Sequence, residues 1–183
     1  MCAEEGYASL GLDGMWLMPA GEAPHKQIEQ DPGRRERYLM SDLAAWGAEW
    51  LDASHLEIDR PGPSYTVDTL RQLRRERPDD EIVWMIGADQ ALSFPKWREP
   101  EEILRLARIA VARRDGIAEG DVQAALAGLD GGDRVTLFEM PTIDVSSTDV
   151  RARIAAGRPF RFLVPERVAD RIDEQHLYRA ARA

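Results

Sequence analysis

The chain has 183 residues, 44% of them hydrophobic and 31% charged, and a formal net charge of −9. The length suits one globular domain with a proper core. The acidic balance excludes a non-specific binder of nucleic acid or of an anionic membrane, both of which need a basic field. Cys2 is the single cysteine, which excludes a disulfide framework and a thiolate metal cluster. Met1-Cys2-Ala3-Glu4-Glu5 does not read as a signal peptide and no apolar run approaches a membrane span, so the cytoplasm is the expected compartment.

In chain order, residues 3–10 read as a helix with Gly11 at its stop. Met15-Trp16-Leu17-Met18, bounded by Gly14 and Pro19, is a short apolar run that predicts a buried strand, with Pro24-His25-Lys26 in the loop beyond it. Residues 34–49 predict a helix carrying Tyr38, Leu39, Leu43 and Trp46 on one side. His55-Leu56-Glu57-Ile58 is a strand candidate. A turn over Pro61-Gly62-Pro63-Ser64-Tyr65 and a helix over 66–76 with Leu70 and Leu73 follow. Ile82-Val83-Trp84-Met85-Ile86 is the clearest buried strand and ends at Gly87-Ala88-Asp89. A helix over 99–107, a strand over 109–112, a small helix over 121–126 and a strand over 135–138 continue the alternation. Pro165 suits a first helical position, with Val168 and Ile172 at i,i+4 behind it. Strands alternating with helices predict a three-layer α/β domain with a mostly parallel sheet, a single domain over 1–183 with no repeat or long linker.

Between the last strand and Pro165 lies Ile143-Asp144-Val145-Ser146-Ser147-Thr148-Asp149-Val150-Arg151. Ser146 with Asp149 three residues on is a capping-box pair, Val150 and Ile154 share one face, and Gly157 with Pro159 supplies the stop. A helix start leaves N–H groups and partial positive charge pointing outward. Hydroxyls there, with Arg151 one turn along, make a seat for phosphate oxygens; an ordinary capped helix with a surface arginine fits the same residues. Ligands of open parallel sheets bind beyond the carboxyl ends of the strands. That rule gathers Pro24-His25-Lys26, Gly87-Ala88-Asp89, Arg113-Arg114 and the 146–151 segment along one edge.

These segments resemble those of the bacterial nicotinate-nucleotide adenylyltransferases, in the nucleotidyltransferase α/β-phosphodiesterase superfamily. The matching stretches are Pro19-Ala20-Gly21 with Pro24-His25-Lys26, and Arg60 through Leu70 around Ser64-Tyr65-Thr66. Ile86-Gly87-Ala88-Asp89 with Phe94-Pro95-Lys96-Trp97, Ile143 through Arg151, Leu163-Val164-Pro165 and Leu177-Tyr178 complete them, in family order over nearly the whole chain. The resemblance implies a Rossmann-like nucleotidyltransferase fold. The family opens with a strand and a turn of the form Gly-Gly-Thr/Ser-Phe-Asp-Pro-x-His-x-Gly-His. Met1 falls just after the place of its last histidine, so the expectation is a first strand missing from this chain, about twenty residues of strand, turn and helix start.

The resemblance further implies adenylyl transfer from ATP to nicotinate mononucleotide, giving nicotinate adenine dinucleotide and pyrophosphate, with Mg²⁺ travelling on the ATP. ATP and nicotinate mononucleotide are thus the expected partners, and the oligomeric state stays open. By resemblance Ser147, Thr148 and Arg151 hold the triphosphate and Arg151 stabilises charge; Arg114 and Lys26 are candidate secondary phosphate partners or else solvated loop cations, and His25 is a candidate phosphate contact. Trp97 stacks on the nicotinate ring, and Tyr65 and Thr66 approach the same ring, their backbone N–H groups donating to its carboxylate. Asp89, a carboxylate at a strand end, either accepts hydroxyls of a ribose or of the adenylate or caps the turn that follows it. Two other readings fit the same residues: a catalytically silent nucleotide-binding paralogue, and an adenylyltransferase with a different mononucleotide acceptor.

Overall fold

The computed structural model describes residues 1–24, 31–113 and 117–179. They divide into two compact units, one of 1–14 with 65–142 and one of 15–64 with 143–183. Among the described residues every strand pair is parallel, as the alternation of strands and helices predicts. Among the described residues the strands form one three-stranded and one two-stranded sheet rather than a single one.

The first unit is built on β3 (Val83–Gly87), β4 (Arg108–Arg113) and β5 (Thr136–Glu139), in the order β3-β4-β5. The middle strand is the core: Ile109, Ala110, Val111 and Ala112 are all 3% exposed or less. Its small residues, Ala110 and Ala112, share a cluster with Phe138, against which Cys2 and Leu10 pack from the ends of helix α1 (Cys2–Leu10). Gly6 of that helix faces Met85 and Phe138, where a Cβ would collide with the methionine sulfur. Helices α4 (Thr66–Glu76) and α6 (Pro100–Leu106) pack together, and α5 (Ala88–Ser93) packs on α7 (Glu119–Leu126). Helix α4 begins and ends where the sequence predicts, because Val67, Leu70 and Leu73 recur at i,i+3 and i,i+6 and all become buried.

In the second unit β1 (Met15–Leu17) pairs with β2 (Leu51–Ala53), Met15 opposite Leu51 and Leu17 opposite Ala53. Helix α2 (Arg34–Ala45) sends Met40, Leu43 and Ala44 against a cluster of Val150, Ile154, Val168 and Ile172. These come from α8 (Ser147–Ala155) and α9 (Glu166–Glu174), and Leu163, Leu177 and Tyr178 close the cluster. Arg171 donates to both carboxylate oxygens of Glu36, at 2.9 and 2.7 Å, tying α9 to α2.

Four expectations need correction. The strand is residues 51–53, not His55-Leu56-Glu57-Ile58, which forms the single helical turn α3 (Leu56–Asp59). Local bonds decide it: the His55 carbonyl accepts from the Asp59 N–H at 3.0 Å, and His55 Nδ1 meets Asp59 Oδ2 at 2.6 Å. Two apolar residues in four cannot separate the helical period from the strand period. Helix α2 ends at Ala45, since Trp46 takes an extended ψ of 128° and Gly47 a φ of 88°, conditions a helix cannot continue through. Trp46 is therefore 66% exposed, with the Arg167 guanidinium 4.3 Å above its ring. The run at Met15 is a strand but not a buried one, because a two-stranded sheet leaves Trp16 41% exposed. Pro165 is the residue before α9 rather than its first.

Candidate active site

Helix α8 starts as a capped helix. The Ser146 hydroxyl oxygen accepts from the Asp149 N–H at 3.1 Å, and its carbonyl accepts from the Val150 N–H at 3.0 Å. The amides of Ser147 and Thr148, in the first turn, have no place in the helical ladder. Both of their side chains are exposed, and the Thr148 hydroxyl accepts from the half-buried Arg151 guanidinium at 3.3 Å. Thr148 and Arg151 are thus drawn together at the helix start. A hydroxyl, a guanidinium and outward amides here can hold a polyanion.

The same unit clamps the Pro19-Ala20-Gly21 segment from two sides. Arg37 donates to the Ala20 carbonyl through Nε at 3.1 Å and Nη2 at 2.9 Å, and to the Gly21 carbonyl at 2.6 Å. Its remaining arm pairs with Asp31. Ser64, 9% exposed, accepts from the Gly21 N–H at 2.9 Å, while its own N–H donates to the Glu22 carbonyl at 2.8 Å. Gly21 is held so close to the Glu57 carbonyl that no side chain fits. Tyr178 is half-buried with φ 59°; burial raises its hydroxyl above the usual range, and the positive charge of Arg151 opposes that.

In the first unit Tyr65 precedes α4 and Thr66 is its first residue. The Arg98 guanidinium sits 4.8 Å above the Tyr65 ring. Trp97 follows the short 3-10 turn Phe94–Lys96, its N–H donating to the Phe94 carbonyl at 2.9 Å. The indole leans on the fully buried Phe94 ring, centroids 5.1 Å apart, and is itself half-buried. Through Arg98 the structure brings the Tyr65–Thr66 and Trp97 segments to one neighbourhood. Asp89 is exposed in the first turn of α5, and its Oδ1 would stand 2.6 Å from a Cβ on Gly87, so that glycine makes room for it. Arg113, placed at the sheet edge by the sequence, is occupied by Glu119 at 2.7 Å and Glu139 at 3.0 Å. His25, Lys26 and Arg114 lie outside the described residues.

Sequence reasoning assigned no role to Arg37, Ser64 or Arg98. Arg37 reads only as part of an amphipathic helix, and Ser64 only as a turn residue. The partners that give them meaning are distant in the chain, so no local pattern marks them.

A chain of alternating elements with parallel pairing, an outward-facing capped helix with an arginine on it and a clamped Pro-Ala-Gly loop has the parts of a nucleotidyltransferase of α/β type. The cytidylyltransferase-like family model matches residues 2–153. The probable nicotinate-nucleotide adenylyltransferase of Streptomyces coelicolor is 39% identical over 179 residues, 98% of this chain and 92% of that one. Its counterpart in Thermomicrobium roseum is 39% identical over 182 residues, 99% of this chain and 85% of the other. The chain belongs to the cytidylyltransferase-like family and, within it, to the nicotinate-nucleotide adenylyltransferases. Its fold is also that of the Plasmodium falciparum nicotinic acid mononucleotide adenylyltransferase solved with NaAD, at a TM-score of 0.72 and 15% identity over 91% of this chain and 83% of that one.

Proposed function

We propose that this chain is an enzyme that transfers the adenylyl group of ATP to nicotinate mononucleotide, releasing pyrophosphate and forming nicotinate adenine dinucleotide. The observation that carries the reading is the start of α8, where Thr148 and Arg151 meet beside the two outward amides. A phosphate oxygen of the mononucleotide attacks the α-phosphorus of ATP, a P–O bond forms, and the bond to the pyrophosphate oxygen breaks. Alignment and charge relief dominate such a transfer. Ser147, Thr148 and Arg151 bind the triphosphate, with Arg114, Lys26 and His25 as further phosphate partners. Trp97 stacks on the pyridine ring, the Tyr65–Thr66 amides donate to its carboxylate, and Asp89 accepts sugar hydroxyls. Mg²⁺ enters on the ATP phosphates; among the described residues no group of three His, Cys, Asp or Glu side chains gathers to hold a metal, so no protein ligand is assigned to it. No helix among the described residues is long and apolar enough to cross a membrane, and the cytoplasm is the compartment this reading assigns.

The family's Gly-Gly-Thr/Ser-Phe-Asp-Pro-x-His-x-Gly-His strand and turn belong to the reading as well. Among the described residues β1 pairs with β2 and β3 with β4. Histidines on such a turn would meet the α-phosphate. The test is to incubate the chain, with and without that segment at its start, with ATP and nicotinate mononucleotide. Dinucleotide and pyrophosphate should appear in equal amounts. Failure of both forms to bind either substrate or to make dinucleotide sinks the reading.

A further inference from the structure

Arg98 stands out from the arginines around it by what it lacks. Its neighbour Arg71 grips Glu99 with two nitrogens, at 3.3 and 2.6 Å, and also reaches Asp68 at 3.6 Å and Glu102 at 3.7 Å. That grip holds the Glu99 carboxyl below the usual range and raises Arg71. Glu99 is therefore already engaged when Arg98 approaches it, while Asp68 stands between the two arginines, 3.6 Å from Arg71 and 3.5 Å from Arg98. Among the described residues the contacts of Arg98 to both are long, 3.5 Å to Asp68 Oδ2 and 3.7 Å from Nε to Glu99 Oε1. The side chain is 52% exposed, and what fixes its place is the face of the Tyr65 ring, 4.8 Å below the guanidinium. A planar cation seated on an aromatic face, with most of its N–H donors directed to no protein group at short range, is prepared for a planar anion.

Arg98 follows Trp97 in the chain and sits over Tyr65, so it belongs to the neighbourhood that the adenylyl-transfer reading gives to the pyridine ring. We propose that Arg98 is the side chain by which this protein selects an acid over an amide acceptor: it pairs with the ring carboxylate of the mononucleotide and gives up its long contacts to Asp68 and Glu99 to do so. This rests on the adenylyl-transfer reading given above. The carboxylate is charged and accepts at both oxygens, whereas a carboxamide is neutral and presents an NH₂ to a group that can only donate. Discrimination of this kind is large because the wrong ligand leaves a donor facing a donor. The charge of Arg71 cannot substitute, since its fork is already filled by Glu99.

The test uses the full chain and reads binding by calorimetry, with nicotinate mononucleotide and nicotinamide mononucleotide as probes and ATP as control. The unaltered chain should prefer the acid. Arg98→Gln, which keeps the length and removes the charge, should weaken the acid by roughly tenfold and leave the amide within about twofold, as expected for losing one charged pair. Arg98→Lys should keep part of the preference, and ATP binding should be the same in all three. Melting curves confirm that both variants fold. An acid-to-amide ratio unchanged in Arg98→Gln, or an unaltered chain that prefers the amide, overturns the inference and leaves adenylyl transfer standing. Failure of the chain, both with and without the family's opening segment, to bind either mononucleotide overturns both.

Discussion

Ser64 and Gly21 stand 43 residues apart in sequence, and the Gly21 N–H donates to the Ser64 hydroxyl at 2.9 Å. Between them they hold the Pro19-Ala20-Gly21 segment against the carbonyl of Glu57, with Arg37 fastening the other side. The consequence for function is that the loop leaving β1 starts from a fixed point, and the proposed phosphate partners His25 and Lys26 follow it in the chain.

Ser64→Ala leaves the Gly21 amide buried without its acceptor and should cost about 1–3 kcal/mol. Gly21→Ala should cost at least as much, because the added Cβ meets backbone that cannot swing away. Denaturant midpoints of the two variants check this. Midpoints equal to the parent's would show that the loop does not depend on the clamp.

Acid sensitivity should trace to Glu36. Hydrogen bonds from Arg171 hold its carboxyl below the ordinary glutamate range. The folded state then binds fewer protons than the unfolded one across that interval, so the stabilisation is present above about pH 4 and is lost as pH falls through the folded value. Glu36→Gln should lower the melting temperature near neutral pH and converge with the parent on acidification. A gap that stays constant down to about pH 3 removes the ion pair from the account.

Arg151→Ala removes a charge-assisted contact to phosphate worth about 1.5–3 kcal/mol, which predicts at least about tenfold slower adenylyl transfer from ATP. Its measurement is steady-state pyrophosphate release over a range of ATP concentrations. Unaltered kinetics would make Arg151 an ordinary surface residue of a capped helix.

Trp97→Ala should weaken nicotinate mononucleotide by about 1–3 kcal/mol, the scale of an aromatic side chain stacked on a base, and much more than ATP. Because the indole also covers Phe94, the melting temperature should fall too, and Trp97→Phe should restore part of it. Equal weakening of both substrates would assign the ring to packing alone.

The last expectation concerns the family's opening strand, since a strand added beside a sheet pairs N–H and C=O groups and strengthens it. The chain carrying the family's opening strand and histidine turn should melt at a higher temperature and more sharply. It should also turn over faster by about two to three orders of magnitude, on the scale of one electrostatic donor removed from an active site. Equal melting and equal turnover for the two forms would leave the histidine role to residues already present.

Much of the architecture is written locally. The helix over 66–76, the stop at Gly11 with φ 61° and the Ser146–Asp149 cap all follow from residues within a few positions of one another, and the structure places them there. Parallel α/β organisation follows as well, because a helix between successive strands supplies the crossover that parallel pairing needs. What no local pattern reveals is which side chains meet across tens of residues. The four residues after Ser54 carry too short a pattern to show helix or strand, and the bonds of His55 to Asp59 settle it. Arg37 on the Ala20 and Gly21 carbonyls, Ser64 on Gly21, Arg171 on Glu36 and Arg98 over Tyr65 exist only once the chain is folded. Periodicity and capping report energies of neighbouring residues, whereas these contacts depend on where distant backbone arrives, and that is a property of the tertiary structure alone.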